Sequence, residues 1–174
     1  VHVYDKRADP RDLSNDSGRS INLIVTSRGL NALKMAGLAE AILPITVPVY
    51  GRKMHALDGS TNYQAYGRNN SECNYAVSRG SLNKELIEKA ESIGVQFHFL
   101  FELKDIDLEK KQIQFTNSHS ANYDCLFATD GAGSLVRKKM HEKDPRSYTE
   151  NVSYISSDYK ELFVPASSSG LPLL

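Results

Sequence analysis

The chain has 174 residues with 21 basic and 21 acidic side chains, so its formal net charge at pH 7 is zero. Because the charges balance, the protein as a whole has no positive electrostatic field that would attract nucleic acid or an anionic membrane, and any anion site must be built locally. No apolar run approaches the roughly 20 residues that span a bilayer, and the first residues are not a basic and then apolar signal segment. We therefore expect a cytoplasmic protein of one domain, or one and a part, with small-molecule partners and no membrane segment.

The cysteines and histidines predict no metal or redox site. Cys73 and Cys125 stand far apart and form no Cys-x-x-Cys pair, so we expect reduced, partly buried thiols. The histidines lie at no metal-ligand spacing and beside no cysteine cluster, so we expect solvated or satisfied imidazoles. These residues are His2, His55, His98, His119 and His141.

The first part of the chain predicts two strands and two helical segments. Residues 1–5 alternate like a strand ending on Asp5, as the second strand of a dinucleotide-binding fold does. After a polar loop at residues 8–18, residues 19–25 predict a second strand. Thr26 or Ser27 then caps a helix that Gly37 closes. A short helical turn over residues 38–43 stops at Pro44.

The middle of the chain predicts a hairpin, a helix and further strands. Residues 47–66 have the pattern of an antiparallel hairpin that turns at Asp58-Gly59. Ser78 separates a short strand from an amphipathic helix that ends at Gly94. The later segments, in chain order, are predicted strands at 95–101, 103–108, 112–115 and 123–128, a helix at 134–140, a charged linker at 141–146, a weaker strand pattern at 152–164 and a frayed tail at 166–174.

Residues 128–137 have the pattern of a strand, turn and helix that face a phosphate. Glycines let the backbone approach a ligand, and a helix N-terminus presents N–H groups and a positive dipole end to an anion. In the simpler alternative, Asp130 caps the helix and Gly131 relieves strain. Asp5 and Arg7 also have a simpler interpretation, in which they are surface residues at the end of a strand and bind no ligand.

Several strings of residues occur in the order and approximate spacing of a known family and cover most of the chain. They are Gly18-Arg19-Ser20-Ile21-Asn22-Leu23, Val77-Ser78-Arg79-Gly80-Ser81-Leu82-Asn83-Lys84, Val3-Tyr4-Asp5-Lys6-Arg7, Ser27-Arg28-Gly29, residues 48–66 and the Asp130 segment. With them the chain resembles the N-terminal part of the kynurenine 3-monooxygenase family of FAD-dependent aromatic hydroxylases.

The resemblance implies an α/β fold, a partial Rossmann-like FAD-binding domain of the aromatic hydroxylase type with an antiparallel hairpin of the substrate domain. The first strand and the glycine-rich turn are expected before Val1 and a second flavin motif after Leu174, so we expect a fragment that is inactive alone. Residues 1–146 are the expected FAD-binding domain, in which the hairpin at residues 47–66 contacts substrate. Residues 147–174 are expected to begin the substrate domain and to end in the frayed tail.

The resemblance also implies roles for individual residues. Arg52 and Tyr66 match residues that hold the amino-acid end of kynurenine; without the resemblance we would interpret both as surface packing. Ile24, Leu103 and Leu135 match residues that contact the flavin, but ordinary core packing would explain the same residue types. No catalytic side chain is expected, because the flavin carries the oxygen chemistry. The implied cofactor contacts are Tyr4, Asp5, Lys6, Arg7, Ile24, Arg79, Leu103, Asp130 and Leu135.

The implied activity is an FAD- and NADPH-dependent monooxygenation in tryptophan degradation. The enzyme would use O2 to hydroxylate L-kynurenine to 3-hydroxykynurenine. Two alternatives stay open. One is a flavin hydroxylase of another aromatic acid, because Arg52 alone does not distinguish carboxylates. The other is a non-catalytic remnant or interaction module that binds no flavin.

Overall fold

The computed structural model describes residues 1–12, 22–69, 71–157 and 168. The chain divides into two compact units, which are described separately. Unit 1 comprises Val1–Lys104 and Phe115–His119, and unit 2 comprises Asp105–Gln114 and Ser120–Leu174. The domain boundary expected after residue 146 stays a prediction about the natural protein. The loop at residues 8–18 lies outside the described residues beyond residue 12, as does most of the tail.

Unit 1 contains a parallel strand pair joined through a helix. Strand β1 (His2–Asp5) pairs in parallel with β7 (Gln96–Phe99), in a register that sets Tyr4 opposite His98 and Asp5 opposite Phe99. Helix α3 (Arg79–Ser92) precedes β7 along the chain. A parallel pair needs such a crossover, so this part of the chain has the α/β character that the sequence predicts.

A three-stranded antiparallel sheet also lies in unit 1. Strand β6 (Asn74–Ser78) pairs on one side with β2 (Asn22–Val25) and on the other with β3 (Val47–Val49). The prediction of a single hairpin over residues 47–66 is therefore wrong at its start. The chain leaves β3 at Tyr50, and the hairpin consists of β4 (Gly51–His55) and β5 (Thr61–Ala65) alone. Residues 47–49 join the sheet of β6 because of their partner on the neighbouring strand, and the local sequence pattern does not encode that partner.

The helices of unit 1 begin and end close to the predicted residues. Helix α1 (Ser27–Met35) follows Thr26, whose side chain makes no capping bond, and Gly37 takes a left-handed φ of 71° after it. Helix α2 (Ala39–Ile42) runs into a 3-10 turn at Leu43–Ile45, so Pro44 lies inside the second helical segment. Proline is tolerated there because first-turn N–H groups need no partner within a helix.

Unit 2 differs most from the sequence prediction. Strands β8 (Leu103–Asp107), β9 (Gln112–Phe115) and β10 (Ser120–Asn122) form a sheet in the order β10-β9-β8, of which Leu103, Lys104 and Phe115 are counted in unit 1 and the rest in unit 2. The strand predicted at residues 123–128 is absent from these described residues. Its first residue still donates a backbone hydrogen bond, from Tyr123 N to the Lys111 carbonyl at 2.9 Å, but Lys111 lies in the turn before β9. The partner strand has ended there, so the ladder cannot continue.

Helix α4 (Leu135–Lys143) follows the Asp130 segment and confirms the predicted helix, which continues three residues beyond its predicted end. Residues 151–157 contain no strand, contrary to the pattern at 152–164, and most of the remainder lies outside the described part.

The buried apolar side chains are few in each unit. They are Ala39, Ile42, Val77, Ile87 and Phe115 in unit 1, and Ile106, Ile113 and Val136 in unit 2. Within the described segments, no helix is long and apolar enough to cross a membrane.

Candidate functional site

Asp5 and Arg7 form a closed ion pair at the carboxyl end of β1. Arg7 donates its backbone N–H and its Nε to Asp5 Oδ1 at 2.8 and 3.1 Å, and its Nη2 to Oδ2 at 3.0 Å. Partial burial raises the pKa of the Asp5 carboxyl, but the bonds and charge of Arg7 outweigh it, and the net pKa lies below the ordinary value. Asp5 is therefore a carboxylate at neutral pH.

This pair leaves capacity for a ligand. A carboxylate offers about four acceptor positions, and Arg7 occupies three of them. The Asp5 side chain is 35% exposed and that of Arg7 75% exposed, and the guanidinium retains further N–H donors toward solvent. An acceptor beside a cation at the end of a parallel strand suits a ribose hydroxyl beside a phosphate. The carboxylate acceptor of Asp5 and the guanidinium donors of Arg7 at this end of β1 therefore fit the adenosine half of FAD.

The residues on either side of Asp5 point elsewhere or lie in solvent. The Tyr4 ring stacks on His98 at a centroid distance of 4.6 Å and packs against Phe115 at 4.6 Å. Because strand side chains alternate, Tyr4 faces away from Asp5. Only the Tyr4 backbone is placed to meet a ligand that Asp5 binds. Lys6 is exposed in the turn after β1.

Arg52 and Tyr66 lie on one face of the β4–β5 ribbon. The register sets Arg52 opposite Gln64, and Arg52 Nε donates to Gln64 Oε1 at 2.8 Å. The ladder continues beyond β5, where Tyr66 N–H donates to the Tyr50 carbonyl at 2.8 Å. Alternation places Tyr66 on the same face as Gln64, so Arg52 and Tyr66 are diagonal neighbours within reach of one ligand.

The opposite face of the ribbon carries Lys53 and Tyr63. They are cross-strand partners, and the ring of Tyr63 lies so close over Gly51 that a Cβ at that position would collide with it. Every residue from Arg52 to Tyr66 is exposed. The ribbon therefore presents two chemically distinct faces, with a guanidinium and a phenol on one and an ammonium and a phenol on the other.

The other predicted contacts of unit 1 lie on three separate elements. Ile24 of β2 is 50% exposed and lies between half-buried Leu23 and Val25. Arg79 is half-buried as the first residue of α3, directly after Ser78, whose Oγ accepts the N–H of Ser81 at 3.5 Å. Leu103 is half-buried as the first residue of β8.

Asp130 lies in unit 2 and contacts the N-terminus of helix α4, whose N-cap residue is Ser134. Ser134 Oγ donates to Asp130 Oδ1 at 2.6 Å, and Val136 N–H donates to Oδ2 at 3.4 Å, while Arg137 N–H donates to Ser134 Oγ at 3.0 Å. Burial raises the pKa of the Asp130 carboxyl, but these hydrogen bonds outweigh it and hold the net pKa below the usual range. Gly131 has a φ of 83°, a left-handed conformation that glycine adopts without strain.

The capping role limits what the α4 N-terminus can offer. Two of its first-turn N–H groups already donate to Asp130 and Ser134. A phosphate at this segment would meet the backbone between Gly131 and Gly133 rather than the first turn of the helix. Leu135 opens α4 and is half-buried.

A cleft of about 500 Å³ adjoins this segment within unit 2. Arg137 donates from Nε to Glu150 Oε1 at 2.7 Å and from Nη2 to the Ala132 carbonyl at 2.5 Å. His141 Nδ1 donates to the Tyr148 carbonyl at 2.5 Å. Arg137 stands in the quoted motif, but no sequence signal marked His141, Tyr148 or Glu150 as cleft residues, because loop contacts follow no period.

The predicted residues thus meet in three local groups. Asp5 contacts Arg7, Arg52 shares a face with Tyr66, and Asp130 shares a turn with Leu135. The described residues contain no group of three or more histidines, cysteines or carboxylates that could hold a metal. Cys73 is a half-buried free thiol, as expected, but Cys125 is exposed, because it follows the end of the sheet.

Comparison with known proteins agrees with this fold. No family model matches the chain. Kynurenine 3-monooxygenase of Stenotrophomonas maltophilia is 35% identical, and that of Xanthomonas axonopodis pv. citri 36% identical, over 98% of this chain and 38% of each relative. The chain therefore spans just over a third of the length of these relatives.

Solved structures with this fold are more distant in sequence. A mutant of 2-methyl-3-hydroxypyridine-5-carboxylic acid oxygenase matches with a TM-score of 0.64 at 17% identity, covering 80% of this chain and 35% of that one. p-Nitrophenol 4-monooxygenase from Pseudomonas putida matches with a TM-score of 0.65 at 16% identity, covering 80% of this chain and 37% of that one. Klebsiella pneumoniae HpxO, as the R204Q variant solved with FAD, matches with a TM-score of 0.62 at 18% identity, covering 79% of this chain and 35% of that one. The chain is a homologue of the kynurenine 3-monooxygenases over 98% of its length and has the fold of FAD-dependent aromatic hydroxylases.

Proposed function

We propose that this chain is the FAD-binding and substrate-contacting part of an FAD- and NADPH-dependent monooxygenase acting on L-kynurenine. The observation that carries the proposal is 34–36% identity across 98% of the chain to proteins named for that activity. The overall reaction would convert L-kynurenine, NADPH, a proton and O2 into 3-hydroxykynurenine, NADP⁺ and water. Because the chain spans 38% of its relatives, the activity is proposed for the natural protein that carries this sequence.

The proposed FAD contacts divide by chemistry. Asp5 would accept from ribose hydroxyls, and Arg7 and Arg79 would neutralise phosphate oxygens through charge-assisted hydrogen bonds. The Asp130 turn would hold its backbone against the cofactor while its carboxylate caps α4. FAD, when bound, supplies the redox and oxygen chemistry, and the protein orients it and excludes water. The remaining proposed contacts are Tyr4, Lys6, Ile24, Leu103 and Leu135.

The proposed substrate contact rests on the shared face of the β4–β5 ribbon. Kynurenine carries an α-carboxylate, and Arg52 has guanidinium N–H groups beyond the one that bonds Gln64. Tyr66 adds a hydroxyl on the same face, which would fix the orientation of the amino-acid end. A cation and a hydroxyl converging on one ligand give both binding energy and direction.

The test compares Arg52→Ala with Lys53→Ala in the natural protein. Lys53 is the matched control, because it has the same charge, is adjacent in the strand and lies on the opposite face. We expect Arg52→Ala to weaken kynurenine binding by about 1.5–3 kcal/mol, the value of a hydrogen bond to a charged group, or roughly 10- to 150-fold. Lys53→Ala should leave it unchanged. The measurement is kynurenine-stimulated NADPH oxidation at varied kynurenine concentration.

Three outcomes would contradict parts of the proposal. Equal effects of the two variants would remove Arg52 from the site. Stimulation of NADPH oxidation by another aromatic acid but not by kynurenine would assign a different substrate within the same reaction class. A purified natural protein without flavin absorbance, and without binding of added FAD, would support the non-catalytic alternative.

A further inference from the structure

Two histidines separated by 96 positions in sequence meet on the β1–β7 pair. Tyr4 is the register partner of His98, and His2 lies two residues before Tyr4, so alternation places both histidines on the same face. His2 Nδ1 and His98 Nε2 are 3.0 Å apart. His2 is exposed and His98 is half-buried, so solvent reaches the pair.

The two rings meet edge to edge. Their centroids are 5.3 Å apart with an interplanar angle of 21°. Given the 3.0 Å contact, this centroid separation places both nitrogens close to the line between the ring centres, so one ring donates its N–H to the lone pair of the other in an imidazole–imidazole hydrogen bond. The Tyr4 ring stacks on His98 at 4.6 Å and 15°, and Phe101 packs its ring at 5.5 Å, which holds His98 in place. One ring is held by neighbours and the other stands in solvent.

We propose that His2 and His98 form a two-imidazole chelate for a divalent transition metal ion of the Cu²⁺ or Ni²⁺ class. Metal–imidazole bonds of about 2.0–2.1 Å set nitrogens about 2.9 Å apart at a right angle and about 3.4 Å apart at a tetrahedral angle. The observed 3.0 Å lies near the right-angle value, which tetragonal Cu²⁺ and Ni²⁺ adopt and tetrahedral Zn²⁺ does not.

The pair can accept the ion with little backbone movement. A metal bonded to both nitrogens lies off the line between them, so the rings turn on their side-chain torsions to face it. His2 has room for this turn because it is exposed, and the terminal torsion of histidine is broad. Binding of the ion replaces the hydrogen bond between the rings: the donating ring moves its proton to its other nitrogen, so that each ligating nitrogen carries a lone pair. Water completes the coordination, as the exposure of the pair allows.

This inference is independent of the proposed monooxygenase function. The backbone pairing of β1 and β7 brings the ligands together, including a bond from Gln96 N–H to the Val1 carbonyl at 3.0 Å. Two ligands held on adjacent strands bind an ion more tightly than one, because the second contact is intramolecular. A bound ion would also tie β1 to β7 and stabilise the folded chain.

The test titrates the full 174-residue chain with Cu²⁺ and, separately, Ni²⁺, added as chlorides. The chain carries no histidine tag, and its N-terminal amine is acetylated, so that an amine beside His2 does not contribute to Cu²⁺ binding. We expect one Cu²⁺ per chain, an electron paramagnetic resonance spectrum with coupling to two nitrogens, and a raised thermal midpoint. His98→Gln and His2→Gln should each lower the Cu²⁺ affinity about tenfold or more.

His55→Gln is the matched control, because His55 is an exposed strand histidine on the β4–β5 ribbon, and it should leave the affinity unchanged. If His98→Gln unfolds, His2→Gln is the deciding variant, since the His2 side chain is exposed and its ring centroid lies 6.3 Å from that of Tyr4, farther than the 4.6 Å between Tyr4 and His98. Unchanged affinity in His2→Gln, or an equal loss in His55→Gln, would overturn the proposal. Coupling to a single nitrogen in the unsubstituted chain would overturn it as well.

Discussion

The two aspartates that the sequence predicts as cofactor contacts lie in different units and are held in different ways. At the end of β1 in unit 1, Asp5 bonds to a single cation, Arg7, and retains an acceptor position toward solvent. In unit 2, Asp130 bonds to Ser134 and to a backbone N–H of helix α4, so its carboxylate is occupied by its own helix. The same residue type thus presents charge outward in one unit and completes secondary structure in the other.

This difference separates ligand binding from folding. An exposed ion pair contributes about 0–1 kcal/mol to stability, so Asp5 is dispensable for the fold of unit 1. A side chain that accepts first-turn N–H groups contributes about 0.5–2 kcal/mol, so Asp130 stabilises the N-terminus of α4. Substitutions at the two positions should therefore produce opposite patterns, and the four predictions that follow test this contrast.

The largest effect is expected for Asp5→Ala on FAD affinity in the natural protein. Loss of a charged acceptor for ribose hydroxyls should weaken FAD binding by about 1.5–3 kcal/mol, roughly 10- to 150-fold. The thermal midpoint of the flavin-free protein should barely change. Quenching of flavin fluorescence measures the affinity. Asp58→Ala, in the exposed hairpin turn, is the control, and an unchanged FAD affinity in Asp5→Ala would make Asp5 a surface residue.

Asp130→Ala should show the reverse pattern. Removing the cap should lower the free energy of unfolding by about 1–2 kcal/mol, because Val136 N–H and Ser134 Oγ lose their acceptor. Asp130→Asn should recover most of the loss, since an amide oxygen also caps. Urea unfolding gives both values, with exposed Asp124→Ala as the control. Full stability in Asp130→Ala together with lost flavin would place Asp130 in the same role as Asp5.

Ser134→Ala should cost less, about 0.5–1 kcal/mol of unfolding free energy. Its hydroxyl accepts from Arg137 N–H, while Asp130 retains its bond to the first turn. The same urea experiment measures it, with Ser81→Ala as the control, because Ser81 is exposed on α3. If Ser134→Ala equals Asp130→Ala, the two side chains act as a single unit rather than as independent caps.

The smallest effect is the acid dependence of stability. The folded pKa values of Asp5 and Asp130 are both lowered, so each contributes stability that is fully present above the unfolded pKa of about 3.9. That contribution is lost as the pH falls through the folded value. The decline in thermal midpoint between pH 5 and pH 3 should therefore be smaller in Asp5→Asn and in Asp130→Asn than in the unsubstituted protein. An identical decline would show that neither group is linked to folding.

Local signals predicted the helix ends well. Ser78 caps α3 and Gly94, at a φ of 90°, follows its end, because a cap and a left-handed glycine act within one turn of the chain. Strand partners were predicted less well. Residues 47–49 joined β6 instead of the hairpin, and residues 123–128 found no strand to pair with, because β9 begins only at Gln112. The site followed the same rule, since the Asp5–Arg7 pair is local whereas Arg137 and Glu150 meet through a loop.

The sequence by itself determined most helix boundaries and the strings that relate this chain to flavin hydroxylases. These depend on neighbours a few residues apart, where covalent geometry fixes which side chains meet. Only the tertiary structure decided which strands pair, that the β4–β5 register sets Arg52 and Tyr66 on one face, and that His2 meets His98. Such contacts join residues whose separation along the chain carries no information about their distance in space, so only the packing of the strands and helices selects them.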